Sequence, residues 1–373
     1  MTDELAALLQ TAGLIHDLGN PPFGHYGETV IRQWFDKWFK LNEETAILTD
    51  QEKKDFIHFD GNVQNLRIVT KLQTLNDAYG ANFTYGTLAT VIKYPWRSDS
   101  KESMNHKKKF GYFKSEEDIV KDIQRMTGLE DGQRHPATYL LEAADDIIYV
   151  CDDIEDGVKK GYIPWDSVYD NIKNKFTTEE YKKLFDNIDE KRPDEAIGRE
   201  ENILSRVRMF RNLTQGHLLK KAIHEFIDNY EAITNGSYGN KELLNGEKDF
   251  VDYLKREVTG KYCFGCHEIL GLELVGDKVI RTLLDIFVPV LVDRANDDKV
   301  LNDPATYPGK IYALISSNFK YIALHDYERN CQKKYEDVEL YDKLHLAVDY
   351  VSGMTDSFAV NLYKELTGIR LPQ

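Results

Sequence analysis

Apolar residues recur at three- and four-residue intervals over long parts of the chain, with capping residues at their ends. Alternating apolar and polar positions are scarce, so the pattern predicts an all-α or mainly α protein. Leu5, Leu8, Leu9, Ala12 and Ile15 predict a buried helix that gives way to a loop at His16-Asp17. Trp34, Phe35, Trp38 and Phe39 form an aromatic stripe, the mark of a helix face packed in a core or against a second subunit. Asp50 to Phe56 reads as a polar connector, and His58 to Arg67 opens another helix. Leu88 to Trp96 reads as an apolar helix stopped by Pro95, with Lys93 and Tyr94 at its end. Pro136 suits a first helical turn. Beyond it Glu142, Asp145, Tyr149, Asp153 and Asp156 share one arc, while Leu141, Ala144, Ile148 and Cys151 line another. Residues 161 to about 193 are charged and aromatic without a chemical motif, and Asn235 to Glu247 is a Gly/Asn-rich loop. Glu200 to Tyr230 predicts a basic-faced helix carrying Arg206, Arg208, Arg211 and Lys220, and Lys278 to Arg294 an apolar one.

Composition narrows the class. The 373 residues are 42% hydrophobic and 30% charged, as in an ordinary soluble globular chain of one or two domains. A net charge of −15 argues against nucleic-acid binding over the whole surface, so a triphosphate would need a metal and a local basic patch. Asn105 to Tyr112, with Lys107, Lys108 and Lys109, is the most basic segment. There is no apolar run of membrane-spanning length and no basic-then-apolar leader, which reads as a cytoplasmic protein. Four Cys do not make a disulfide framework. Cys263-Phe-Gly-Cys266-His267 fits the c-type haem attachment string, but that chemistry belongs to exported proteins, and a zinc knuckle would want a second ligand pair. Structural cysteines remain the plainer reading.

Residues 14–28, LIHDLGNPPFGHYGE, concentrate the candidate chemistry. The imidazole of His16 and the carboxylate of Asp17 suit a divalent cation such as Mn, Fe, Ni, Co or Zn, and Mg less well. Pro21 and Pro22 stiffen the turn, Gly24 permits close backbone approach, and His25 and Glu28 share a face if a helix restarts there. By their residues alone Asp60-Gly61-Asn62 is a turn and helix cap, His58 is structural, Lys93 is a cation at a helix end, and the acidic arc is a solvated face.

The motif His16-Asp17-Leu-Gly-Asn20-Pro-Pro-Phe-Gly-His25-x-Gly-Glu28 resembles that of the deoxyguanosine triphosphate triphosphohydrolases of the HD-domain superfamily. Further matches are Asp60-Gly61-Asn62-Val63-Gln64, with Asp60 and Val63 as departures, Glu142-Ala-Ala-Asp145-Asp146-Ile-x-Tyr149, and Asp349 to Asp356. The resemblance implies an HD-domain core over 1–160 and a helical part over 161–373 that completes the pocket and the oligomer contacts. It also implies one divalent metal on His16, Asp17 and Asp145, with Asp146 as the neighbouring alternative, and His25 and Glu28 as the acid/base pair. Asn62, Lys93, Tyr94, Lys109, Tyr149 and Asp153 would contact a dNTP, one arginine of 206, 208 and 211 would reach phosphate, and Thr355-Asp356 would stabilise a bend at Gly353. A homo-oligomer, tetrameric or hexameric, is implied as well, with the Trp34–Phe39 stripe as an interface and single-stranded DNA or a dNTP as candidate effectors. The family's first metal-ligating His has no counterpart among the fifteen residues before His16, which reads as an N-terminally truncated chain or a lost ligand. The reaction implied is hydrolysis of a dNTP to deoxynucleoside and triphosphate. The rivals are another nucleotide phosphohydrolase and a metal-poor regulator that binds dNTPs or single-stranded DNA.

Overall fold

The computed structural model describes residues 2–73, 80–190, 198–326, 329 and 331–371. It is 72% helical, and among the described residues 19 α-helices are joined by one two-residue antiparallel ribbon pairing His325 with Gln332 and Asp326 with Cys331. The mainly α expectation holds. No helix of the described residues is long and apolar enough to cross a membrane.

The chain forms two compact units, residues 1–133 with 272–373, and residues 134–271. The first begins with α1 (Thr2–Ile15), α2 (Gly24–Leu41), α3 (Asp50–Ile57), α4 (Gly61–Arg67), α5 (Tyr85–Val91), α6 (Lys101–Asn105) and α7 (Glu117–Thr127). The second holds α8 (Pro136–Lys159), α9 (Trp165–Lys175), α10 (Glu179–Glu190), α11 (Arg199–Asp228), α12 (Tyr230–Thr234) and α13 (Lys248–Tyr253). α14 (His267–Val292) returns the chain to the first unit, followed by α15 (Asp298–Leu301), α16 (Tyr307–Leu314), α17 (Ser317–Leu324), α18 (Leu340–Ser352) and α19 (Asp356–Leu366).

The aromatic stripe of α2 belongs to the first unit's core. Phe35 stacks on Phe56 of α3 with centroids 4.7 Å apart, Trp34 is buried, and Trp38 and Phe39 are half-buried beside them. Each such buried ring contributes about 1.5–3 kcal/mol. Leu283, Leu284 and Phe287 of α14, with Leu344, Val348 and Val351 of α18, close this core.

Four local expectations are corrected. Asp50 to Phe56 is helix, not connector, because Thr49 and Glu52 form a reciprocal capping box: the Thr49 N–H donates to Glu52 Oε2 (2.7 Å) and the Glu52 N–H to Thr49 Oγ1 (3.3 Å). α5 ends at Val91, so Lys93 and Tyr94 lie beyond the helix. Pro95 disfavours a helical Tyr94 and unravels the last turn. α1 is only partly buried, with Ala12 and Ile15 covered and Leu5 exposed. On α8 the buried line is Ala143, Ile147, Val150, Ile154 and Val158, which shares a core with Val207, Phe210 and Leu218 of α11, while Ala144 and Ile148 are exposed.

Arg67 holds α4, α7 and α18 together. Buried, it gives Nε and Nη2 to Asp349 Oδ1 and Oδ2 at 2.8 Å each, and Nη1 to Glu116 Oε1 at 2.9 Å, just before α7. Arg67→Met leaves two buried carboxylates short of their partner. The expected loss is about 3–5 kcal/mol, read as a lower urea midpoint. A midpoint equal to that of the native chain would deny the cluster this role.

Candidate active site

The sequence between α1 and α2 makes a tight turn against α4. A Cβ on Gly19 would fall 2.0 Å from the Gly61 carbonyl oxygen and 2.2 Å from the Asn65 nitrogen, so only glycine permits this approach. At the end of α1, His16 Nδ1 faces the Gly13 carbonyl at 2.8 Å. With the ring proton there, Nε2 presents its lone pair beside Asp17 Oδ2, 3.5 Å away. Neutral imidazole and carboxylate are the donors a borderline divalent cation takes, so the pair fits one. Among the described residues no group of three or more His, Cys, Asp or Glu side chains is gathered as for a metal.

α2 restarts at Gly24, after Phe23 and Gly24 both adopt left-handed backbone (φ 63° and 57°). The restart puts His25 and Glu28 on one face, with His25 Nδ1 3.5 Å from Glu28 Oε2. His25 is exposed, and Glu28 is 3% exposed. The buried carboxylate has its partners: Gly61 N–H donates to Oε1 at 2.7 Å and Arg32 Nη2 to Oε2 at 2.7 Å. Its hydrogen bond with the imidazole raises the His25 pKa above the ordinary value, against the opposing pull of desolvation and the positive charge of Lys109.

From Glu28 the polar network runs on through Arg32 to the Phe59 carbonyl and towards Asp60. Asp60 caps α4, accepting from the Asn62 N–H at 3.0 Å and the Asn62 amide at 2.9 Å, and its other oxygen accepts from Lys109 Nζ. Burial alone would raise Asp60, but the charge and hydrogen bond of Lys109, with those from Asn62, hold it below the usual carboxylate range. One connected network therefore joins His25, Glu28, Asn62 and Lys109. Lys93 and Tyr94 lie on the neighbouring strand of loop. Trp96 Nε1 donates to the Lys109 carbonyl at 2.8 Å, and a Cβ on Gly111 would fall 2.1 Å from the Tyr94 carbonyl oxygen. His58 is buried and stays neutral, its pKa pushed down to about 4 by burial and then by Lys108 and Lys54.

Arg32 and Asp60 are the residues that sequence reasoning missed as members of the site. The Glu28/Arg32 spacing of four was the available signal for the first, whereas Asp60 looked like a cap and nothing more.

The second unit carries Asp145, Tyr149 and Asp153 along α8. Tyr149 and Asp153 are one helical turn apart on α8. Burial, then the Asp153 charge, pushes the Tyr149 pKa up to about 12, and burial also raises Asp153. Asp145 is half-buried and contributes to the field at Tyr149. Asp146, the alternative ligand, takes Lys255 Nζ at 2.6 Å. The α11 arginines meet carboxylates: Arg206 with Asp166 at 2.5 Å, Arg208 with Glu155 at 3.3 Å, and Arg211 with Glu155 and Asp152. Cys263 and Cys266 are free thiols, and the sulfur of Cys263 lies where a side chain on Gly157 would be.

Over 378 aligned residues the chain is 35% identical to the deoxyguanosinetriphosphate triphosphohydrolase-like protein of Listeria innocua, taking in 98% of this chain and 78% of that protein. It is 32% identical over 408 residues to the deoxyguanosinetriphosphate triphosphohydrolase of Yersinia enterocolitica, covering 98% of this chain and 79% of the relative. No family model matches the chain.

Glu28→Gln tests the central contact. Removing the carboxylate removes the chief cause of the raised His25 pKa, so the imidazole should titrate at lower pH in an NMR titration. If His25 acts as a base, the acid limb of the rate profile should move to lower pH with it. An unchanged titration would mean that Glu28 does not govern His25.

Proposed function

The chain belongs to the deoxyguanosinetriphosphate triphosphohydrolase family, and from that premise we propose that it hydrolyses deoxynucleoside triphosphates, dGTP foremost, to the deoxynucleoside and inorganic triphosphate. The observation that carries this reading is the buried Glu28, which joins the exposed His25 to the Arg32, Asp60, Asn62 and Lys109 network. The site thus sets a proton-transfer group beside a cation able to meet phosphate, in a chain whose net charge of −15 otherwise repels it.

In this reading Lys109, Lys93 and Tyr94 bind the triphosphate, and Asn62 orients it, so that displacement runs in line at the α-phosphorus. Water forms the new P–O bond, the bond to the 5′-oxygen breaks, and the triphosphate leaves whole. His25 moves the proton, taking it from water or giving it to the 5′-oxygen, while Glu28 fixes the ring through Nδ1. His16 and Asp17 would supply two donors to a divalent cation, which when bound would offer Lewis-acid polarisation of phosphorus.

Incubation of the chain with Mn and each dNTP, with separate assays for triphosphate, pyrophosphate and orthophosphate, tests the reaction. Triphosphate is the expected product. His25→Ala should lower kcat by about 10²–10⁴-fold. Orthophosphate or pyrophosphate as the product would move the chain to another class of phosphohydrolase, and full turnover by His25→Ala would remove His25 from the chemistry.

A further inference from the structure

We propose that Asp356 is a positioning residue for the His25–Glu28 pair, acting through the backbone of Phe23; the proposal rests on the reading of His25 as the acid/base. α2 starts without a side-chain cap, and its leading residue, Phe23, is left-handed at φ 63°, ψ 20°. That conformation is unfavourable for an aromatic residue, so it persists only where the surroundings impose it. Two contacts from the C-terminal half of the first unit do so. The Phe23 N–H donates to Asp356 Oδ1 at 2.9 Å, a charge-assisted bond across 333 positions of chain. The Phe23 ring lies on α14 at Gly276, where a Cβ would fall 2.7 Å from the ring's Cγ.

Asp356 is itself fixed in place. Thr355 caps α19, accepting from the Phe358 N–H at 3.3 Å, and Asp356 follows as the first helical residue. The turn is also closed on its own helix: Gly24 N–H donates to the Pro21 carbonyl at 3.0 Å, and a Cβ on Gly27 would fall 2.0 Å from the Pro22 carbonyl oxygen. His25 is two residues beyond Phe23, so the dihedrals that Asp356 and Gly276 impose set where its ring starts. Because Asp356 is exposed, replacing it opens no cavity.

The test compares Asp356→Ala with Asp356→Asn in the full chain, reading kcat and KM for triphosphate release from dGTP and deuterium exchange over residues 21–28. The alanine variant should lower kcat about tenfold, leave KM about unchanged and speed exchange over 21–28. The asparagine variant loses the charge at the start of α19 but keeps the acceptor, and should retain most of both. Native exchange and kcat in the alanine variant would overturn the proposal. Equal impairment of the two variants would also overturn it, by assigning the effect to charge. Gly276→Ala, which displaces the ring from a different helix, should reproduce the alanine result, and native behaviour would count against the proposal. A native chain that releases no triphosphate would fail the functional reading alone, and the exchange measurement would still decide whether Asp356 holds the turn.

Discussion

A carboxylate removed from water is costly unless its oxygens find donors, and Glu28 meets that condition with groups drawn from α2 and the start of α4. Its partners cannot drift without exposing an uncompensated buried charge. The distance between the two helices is therefore set electrostatically, and the close approach of Gly19 to Gly61 lets the backbones accept it. His25 remains exposed because the fixing is done one turn further along. The arrangement separates the group that can exchange protons with solvent from the group that holds it in place.

The same economy of positive charge runs through both units. In the first, Arg67 is enclosed by Asp349 and Glu116. In the second, Glu155 alone collects Lys159, Arg208 and Arg211. The arginines that the sequence shows on α11 are met by carboxylates off the acidic arc, Glu155 and Asp152 on α8 and Asp166 on α9, so a long helix carrying several arginines has much of its positive charge paired inside its own unit.

Residue pattern alone disclosed the helical class, the restart of a helix at Gly24, the Asp60 cap and the place of Pro136 at the start of α8. It failed where two local signals compete. At Thr49-Asp-Gln-Glu52 the capping box was present in the sequence, yet the polar composition suggested a connector. On α8 two apolar lines at helical spacing were available, and packing on α11 buried the one through Ile147 and Ile154 rather than the one through Ala144 and Ile148. The site was legible as motifs around His25, Glu28, Asn62 and Lys109, but not as a network, because Arg32 and Asp60 acquire their part only when distant segments meet. Nothing local marks Asp356 as a neighbour of Phe23.

The ion pair between Lys109 and Asp60 carries a consequence for ligand capture. If Lys109 meets phosphate as proposed, the phosphate would not meet an idle cation; it would substitute for a carboxylate that is buried and has Asn62 as its second support. The free energy of that contact would be a difference between two anions sharing one ammonium, small for a ligand whose phosphate falls short and appreciable only for one that reaches fully. Discrimination by length would then come from the exchange itself. Added salt, which weakens the long-range repulsion from an acidic chain more than a half-buried pair, would quicken the encounter while leaving that discrimination in place.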